Sequence, residues 1–150
     1  MQIIKIIFII ILFFFLTFET YAQNQFLSLK KNKVNVRYGP GFDYPIKFIY
    51  KKKYLPLLIT DKLQSWRKIK DFENNSGWIH ISQLSKKKSA ININNNSIMY
   101  KKSTFYSKPI AKLQAGRLVL IKKCEVKWCK ITSGKFKGWI NKNYLWGNIK

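Results

Sequence analysis

Val34-Asn35-Val36-Arg37-Tyr38-Gly39-Pro40-Gly41 alternates apolar and polar side chains over its first four residues, then stops in Gly-Pro-Gly. A period of two is that of a half-buried strand. Gly and Pro break a ladder and favour turns, so the stretch predicts a short strand running into a loop. The residues that follow read the same way. Residues 46–50 and 54–60 are apolar or β-branched runs separated by Lys51-Lys52-Lys53. Pro56 has no N–H to give a ladder, so an edge or a bulge is expected there. Residues 66–70 alternate again, with Trp66, Lys68 and Lys70 on one face and Arg67 and Ile69 on the other. Residues 71–76 read as a polar loop, 77–81 as a strand and 82–84 as a short closing turn.

This pattern occurs twice. Leu27-Ser28-Leu29 matches Ile91-Asn92-Ile93, and Val34-Asn35-Val36-Arg37 matches Ile98-Met99-Tyr100-Lys101, 64 residues later. Pro45-Ile46 matches Pro109-Ile110. Trp66-Arg67-Lys68-Ile69 matches Trp128-Cys129-Lys130-Ile131, and Gly77-Trp78-Ile79-His80 matches Gly138-Trp139-Ile140-Asn141. Self-similarity at a fixed spacing marks a repeated structural unit. Strands of the second copy are expected near residues 91–93, 98–101, 111–113, 118–124, 128–132 and 138–141. Nothing beyond the leader carries a helical period. Many short strands at 8–12-residue spacing predict an all-β chain of small barrels or sandwiches.

The leader is residues 1–22. Lys5 gives a positive start, residues 6–18 are apolar except for Thr17, and Thr20-Tyr21-Ala22 sets small residues before Gln23. This is the layout of a secretory signal peptide cleaved near Ala22-Gln23. Its apolar run is shorter than the roughly 20 residues that cross a bilayer. The expected organisation is a signal peptide at 1–22, a module at 23–85, a linker at 86–89 and a second module at 90–150. The mature chain is expected in the periplasm or outside the cell, without a membrane span. A linker this short keeps the modules close.

The chain carries 29 Lys and Arg against six Asp and Glu, a net charge of +23. Such a surface attracts polyanions. Only Arg37, Arg67 and Arg117 are Arg, whereas phosphate readers lean on the arginine fork. No specific nucleic-acid function is therefore expected, although attraction to an anionic polymer is.

The opening motif, followed by Pro45-Ile46, resembles the start of bacterial SH3-like (SH3b) domains, an Asn-Val-Arg-x-Gly-Pro strand and loop. Gly77-Trp78-Ile79 and Gly138-Trp139-Ile140 are similar to that family's Gly-Trp-Val/Ile strand. Trp66 and Trp128 open strands similar to its Trp-x-Lys/Arg-Val/Ile strand. The second copy departs in its loop, where Lys101-Lys102-Ser103-Thr104-Phe105 stands in place of Arg-x-Gly-Pro-Gly. The resemblance spans residues 27 to 147. It implies two tandem, strongly bent barrels of five to six strands, which serve as non-enzymatic binding units of the cell envelope. Their expected partner is peptidoglycan or another cell-wall component, or an envelope protein. A non-specific polyanion binder, for nucleic acid or lipopolysaccharide, is the alternative.

Cys124 and Cys129 flank an expected hairpin turn. Facing residues of an antiparallel pair lie close enough to be bridged. An even cysteine count in an exported chain favours a disulfide. His80 is the only histidine and reads as an ordinary strand residue. The carboxylates Asp43, Asp61, Asp71, Glu73 and Glu125 are scattered. Neither a catalytic constellation nor metal-ligand spacing emerges, so no catalytic residue, metal or cofactor is expected. Trp78 and Trp139 are expected in the cores. Trp66 and Trp128 fit either the core or a half-exposed wall. The candidate ligand-binding residues are Arg37, Tyr38, Phe42, Tyr44 and Trp66, the aromatics by analogy with the groove of eukaryotic SH3 domains.

Overall fold

The computed structural model describes residues 25–149. The expected signal peptide and its cleavage site lie outside them. Strands β1 (Gln25–Leu29), β2 (Val34–Arg37), β3 (Ile46–Tyr50), β4 (Pro56–Leu63), β5 (Trp66–Lys70), β6 (Ser76–His80) and β7 (Leu84–Ser85) build one antiparallel sheet. Its order is β3-β2-β6-β5-β4-β1-β7. Strands β8 (Ser89–Asn92), β9 (Ser97–Tyr100), β10 (Pro109–Leu113), β11 (Leu118–Cys124), β12 (Trp128–Ser133), β13 (Phe136–Asn141) and β14 (Leu145–Gly147) build the second. Its order, β10-β9-β13-β12-β11-β8-β14, repeats the first strand for strand. The described residues are all-β, as expected, and fold as two tandem barrels. Short 3₁₀ turns at Ile81–Gln83 and Lys142–Tyr144 lead into the last strand of each.

Each sheet curls around its own apolar core. Leu29, Val34, Val36, Leu57, Ile59, Ile69, Ile79 and Leu84 supply the first. Met99, Leu113, Val119, Ile121, Cys129, Ile131, Ile140 and Leu145 supply much of the second. Gly77 and Gly138 let one strand cross tightly over another. A Cβ on Gly77 would meet the Arg37 carbonyl oxygen at 3.0 Å, and one on Gly138 would meet that of Tyr100 at 2.7 Å.

These crossings correct the repeat alignment. Arg37 pairs with Trp78, and Tyr100 pairs with Trp139. Tyr100, not Lys101, therefore holds the Arg37 position, and β9 starts at Ser97 rather than Ile98. The burial patterns agree, since both β2 and β9 alternate buried, exposed, buried, half-buried. Ile46 likewise corresponds to Pro109, because Arg37 pairs with Ile46 and Tyr100 with Pro109. Leu29 corresponds to Asn92, because each precedes the residue whose N–H reaches Gln83 or Tyr144. A shift of one residue turns every side chain to the opposite face. The apparent matches Val34–Ile98 and Val36–Tyr100 had crossed faces.

Two further expectations change. Trp78 and Trp139 are half-buried on the outer faces of their sheets, whereas Trp66 and Trp128 are 7% and 8% exposed. In each Gly-Trp-Ile run, the Gly and the Ile take the inward positions, so the period of two sends the Trp outward. Pro56 is neither on an edge strand nor at a bulge. It is the first residue of β4, opposite Ser28 of β1, a position where its missing N–H does little harm.

The barrels touch. The Trp146 ring meets Phe26 edge-on at 4.9 Å and Phe72 at 6.5 Å. Ile91 of β8 is counted within the first core, and Leu118 packs against it. Only Lys86-Lys87-Lys88 stands between β7 and β8.

Candidate functional site

The loop from β2 to β3 folds back over the outer face of the first sheet. The Arg37 guanidinium donates through Nη1 to the Tyr44 carbonyl oxygen at 2.6 Å. It lies 5.7 Å from the Phe42 ring centre, within cation–π range. Phe42 stacks edge-on against Trp66 at 5.0 Å and lies 5.4 Å from His80. Trp66 and His80 are also 5.4 Å apart. Trp66 stands outside the core cluster, so it is buried from outside by Phe42 and His80. These side chains, with Lys33, Asn35 and Gln83, line a cleft of about 230 Å³.

Three of the five expected ligand-binding residues, Arg37, Phe42 and Trp66, thus come together. The other two stand aside. Tyr38 is 62% exposed beneath the Lys47 ammonium, 5.6 Å from its ring. Tyr44 packs on Gly39, where a Cβ would collide with its ring. It serves to shape the loop.

His80 was missed as a wall of this cleft. It ends β6 and caps the 3₁₀ turn, its Nδ1 accepting the Ser82 N–H at 3.3 Å. An imidazole that accepts at Nδ1 carries its neutral-form proton on Nε2. Asn141 makes the same cap, accepting the Asn143 N–H at 3.0 Å. Exchange of His for Asn at matched positions before a turn is a cap signal legible in the sequence.

The second barrel has a related cluster with different chemistry. Phe105 lies 4.7 Å from Trp128, and Tyr100 lies 5.8 Å from Trp128 and 6.0 Å from Phe105. In correct register, Phe42 has a counterpart in Phe105, which the sequence alignment hid. Tyr100 replaces Arg37 and Asn141 replaces His80, so this cluster keeps the aromatic stack and loses the cation.

The expected disulfide is present. Cys124 and Cys129 face each other across β11 and β12, with Cα atoms 4.0 Å apart. The matching pair in the first barrel is Lys62 and Arg67. There Arg67 Nη1 donates instead to the carbonyls of Gln64 and Trp66, each at 2.8 Å.

Asp71, expected in a polar loop, is buried and organises the β5–β6 connection. It accepts from the N–H groups of Glu73 and Asn75, from the Asn75 amide and from the Tyr50 hydroxyl at 2.8 Å. Burial, and then the hydrogen bond to Asp71, push the Tyr50 hydroxyl well above its ordinary pKa. Among the described residues, no group of three His, Cys, Asp or Glu is gathered to hold a metal. None of their helices is long and apolar enough to cross a membrane.

A family model described as bacterial SH3 domain matches this chain twice, over residues 30–86 and 94–147. Among solved structures, NlpC2 from Trichomonas vaginalis is similar over 85% of this chain and 49% of its own, at 14% identity and a TM-score of 0.39. NlpC1 from the same organism is similar over 85% and 47%, at 13% identity and a TM-score of 0.38. An NlpC/P60 family protein from Bacillus cereus is similar over 81% and 56%, at 10% identity and a TM-score of 0.36. The chain spans about half the length of these structures. No curated protein matches it.

Proposed function

From the premise that this chain belongs to the bacterial SH3 domain family, whose domains are binding modules, we propose that it is an exported, non-enzymatic binding protein of the cell envelope. Its ligand is a peptide-bearing wall component, held in the cleft of the first barrel. The observation that carries this reading is the convergence of Arg37, Phe42, Trp66 and His80 on one concave surface. Two aromatic walls suit an extended chain pressed flat against them. Arg37 spends one of its five N–H donors on Tyr44, and the fork geometry of the others matches a carboxylate. Lys33 adds positive charge at the rim, and the amides of Asn35 and Gln83 can meet a peptide backbone. A disulfide between Cys124 and Cys129 supports an extracytoplasmic setting, because such bonds persist in oxidising compartments.

The test is co-sedimentation of the mature chain with purified peptidoglycan sacculi at moderate salt. Phe42→Ala is expected to cut the bound fraction at least tenfold while the chain stays folded, with a modest fall in melting temperature, because Phe42 is itself 67% exposed but covers Trp66. Phe105→Ala is expected to change binding less than threefold. Absence of the wild-type chain from the pellet defeats the wall-binding reading.

A further inference from the structure

The outer face of the second sheet carries a different feature. We propose that Lys122, Lys123, Lys130 and Lys137 form a binding surface for a linear polymer of phosphate groups, distinct from the cleft of the first barrel.

Lys123 stands directly opposite Lys130, and Lys130 opposite Trp139. Lys137 stands opposite Thr132, one step along the same face. The bulge between Ile121 and Lys123 adds Lys122. All four lysines line one depression of about 400 Å³, together with Ile131 and Thr132. Like charges set directly across a ladder destabilise a sheet. A carboxylate at one of these positions would remove that cost.

The first barrel does so. Asp61 occupies the position of Lys123 and faces Lys68, the counterpart of Lys130. Ser76 occupies the position of Lys137. The same fold thus accepts a carboxylate on this face, and the second copy has a lysine in its place. Glu125 is the only carboxylate in residues 90–150. It engages Lys123 at 3.1 Å, at the hairpin end of the patch. Lys130 and Lys137 remain with no carboxylate partner among the described residues.

The occupant follows from charge complementarity. Lysines are compact point charges that hold phosphates without the planar register an arginine fork imposes. Neighbouring strands are about 4.8 Å apart. Four lysines drawn from β11, β12 and β13 spread positive charge across three neighbouring strands, which suits an extended chain of phosphates better than a single anion. Trp139 already carries the Lys123 ammonium 5.0 Å from its ring centre, which occupies that face of the indole. The surface therefore reads charge rather than stacked bases.

The experiment is fluorescence anisotropy of labelled inorganic polyphosphate with the full mature chain, repeated over a salt series. A K122Q/K130Q/K137Q variant is expected to bind at least tenfold more weakly. Its salt slope should fall by roughly two to three, since each released phosphate contact contributes about 0.7–0.9. A K51Q/K52Q/K53Q variant has the same net charge and is expected to lose less than threefold. Equal losses in both variants overturn the proposal, because net charge alone then explains binding. Failure of the wild-type chain to bind also overturns it. Tighter binding of oligo-dT than of polyphosphate at equal phosphate concentration overturns it in favour of base stacking. At low salt K130Q alone is expected to raise the melting temperature, whereas a site selected only for stability would lose from the change.

Discussion

The two barrels share a fold and differ at the same few positions, and each difference replaces one physical device with another. Leu29 and Val34 fill the end of the first core with apolar side chains. Their counterparts Asn92 and Ser97 are just as buried, at 0% and 3% exposure, but polar. The Asn92 amide donates to the carbonyls of Asn94 at 2.7 Å, Gln114 at 2.8 Å and Leu113 at 3.3 Å, and its oxygen accepts the Ser97 hydroxyl at 2.8 Å. A buried amide is tolerated when its hydrogen bonds are complete. The hairpin between the fourth and fifth strands is held by Arg67 in one barrel and by a disulfide in the other. The cleft has a cation and an imidazole in one, and Tyr100 and Asn141 in the other. The outer face sets Asp61 opposite Lys68 in one and Lys123 opposite Lys130 in the other. One backbone thus supports apolar and polar core ends alike, provided each is internally consistent, and the surface is free to diverge.

Exchanging the core devices is the most direct way to break this comparison. Leu29→Asn places an amide where the Asn92 network has no equivalent, and should destabilise the first barrel by about 4 kcal/mol through unmet hydrogen bonds and lost apolar burial. Asn92→Leu strands the carbonyls it caps and should cost about 2 kcal/mol. Urea unfolding monitored by tryptophan fluorescence measures both. If both substitutions prove nearly neutral, the two core ends are interchangeable and the Asn92 network is not what holds its loop.

Removing the disulfide as C124S/C129S should cost about 2 kcal/mol, the low end for such bonds, because the loop it closes is very short. Thermal unfolding of the oxidised chain and of the double variant gives this figure. The first barrel, which has no disulfide, is expected to respond to reductant less than the second, and the opposite result would sink the assignment of the bond as a local staple.

Tyr50→Phe should have the smallest effect, about 1 kcal/mol near neutral pH, from loss of the hydrogen bond to Asp71. Its pH dependence sharpens the comparison. The folded-state pKa of Tyr50 is raised, so the unfolded chain releases this proton first as pH rises. The stability contributed by Tyr50 is therefore intact below about pH 10, the ordinary tyrosine value, and is lost above it. Stability measured from pH 8 to 11 should fall more steeply for the wild-type chain than for Tyr50→Phe.

The strands were legible because each is short, alternating and bounded by turn residues. The disulfide was legible because its spacing admits a hairpin. The register between copies was not. Val, Ile, Met and Tyr satisfy an apolar position equally, so Val34-Asn35-Val36-Arg37 aligns with Ile98-Met99-Tyr100-Lys101 as readily as with the correct Ser97-Ile98-Met99-Tyr100. The ladder pairs Arg37–Trp78 and Tyr100–Trp139, with the matching burial of the two strands, separate the two. The outward placement of Trp78 and Trp139 was not legible for a related reason. Hydrophobicity says that an indole prefers burial, but not whether a core or a folded-back loop covers it. Trp66 is covered by Phe42 and His80, and Trp146 abuts the neighbouring barrel at Phe26.

By itself the sequence determined an all-β chain of two like modules, a basic surface and a cystine across one hairpin. Periodicity, composition and spacing along the chain carry that information locally. Tertiary structure decided which copy keeps a cation in its cleft, that His80 joins Phe42 and Trp66, and that lysines rather than an aspartate line the second outer face. Those facts depend on which residues of distant strands stand opposite one another. A one-residue shift in that pairing exchanges the inside of a sheet for its outside.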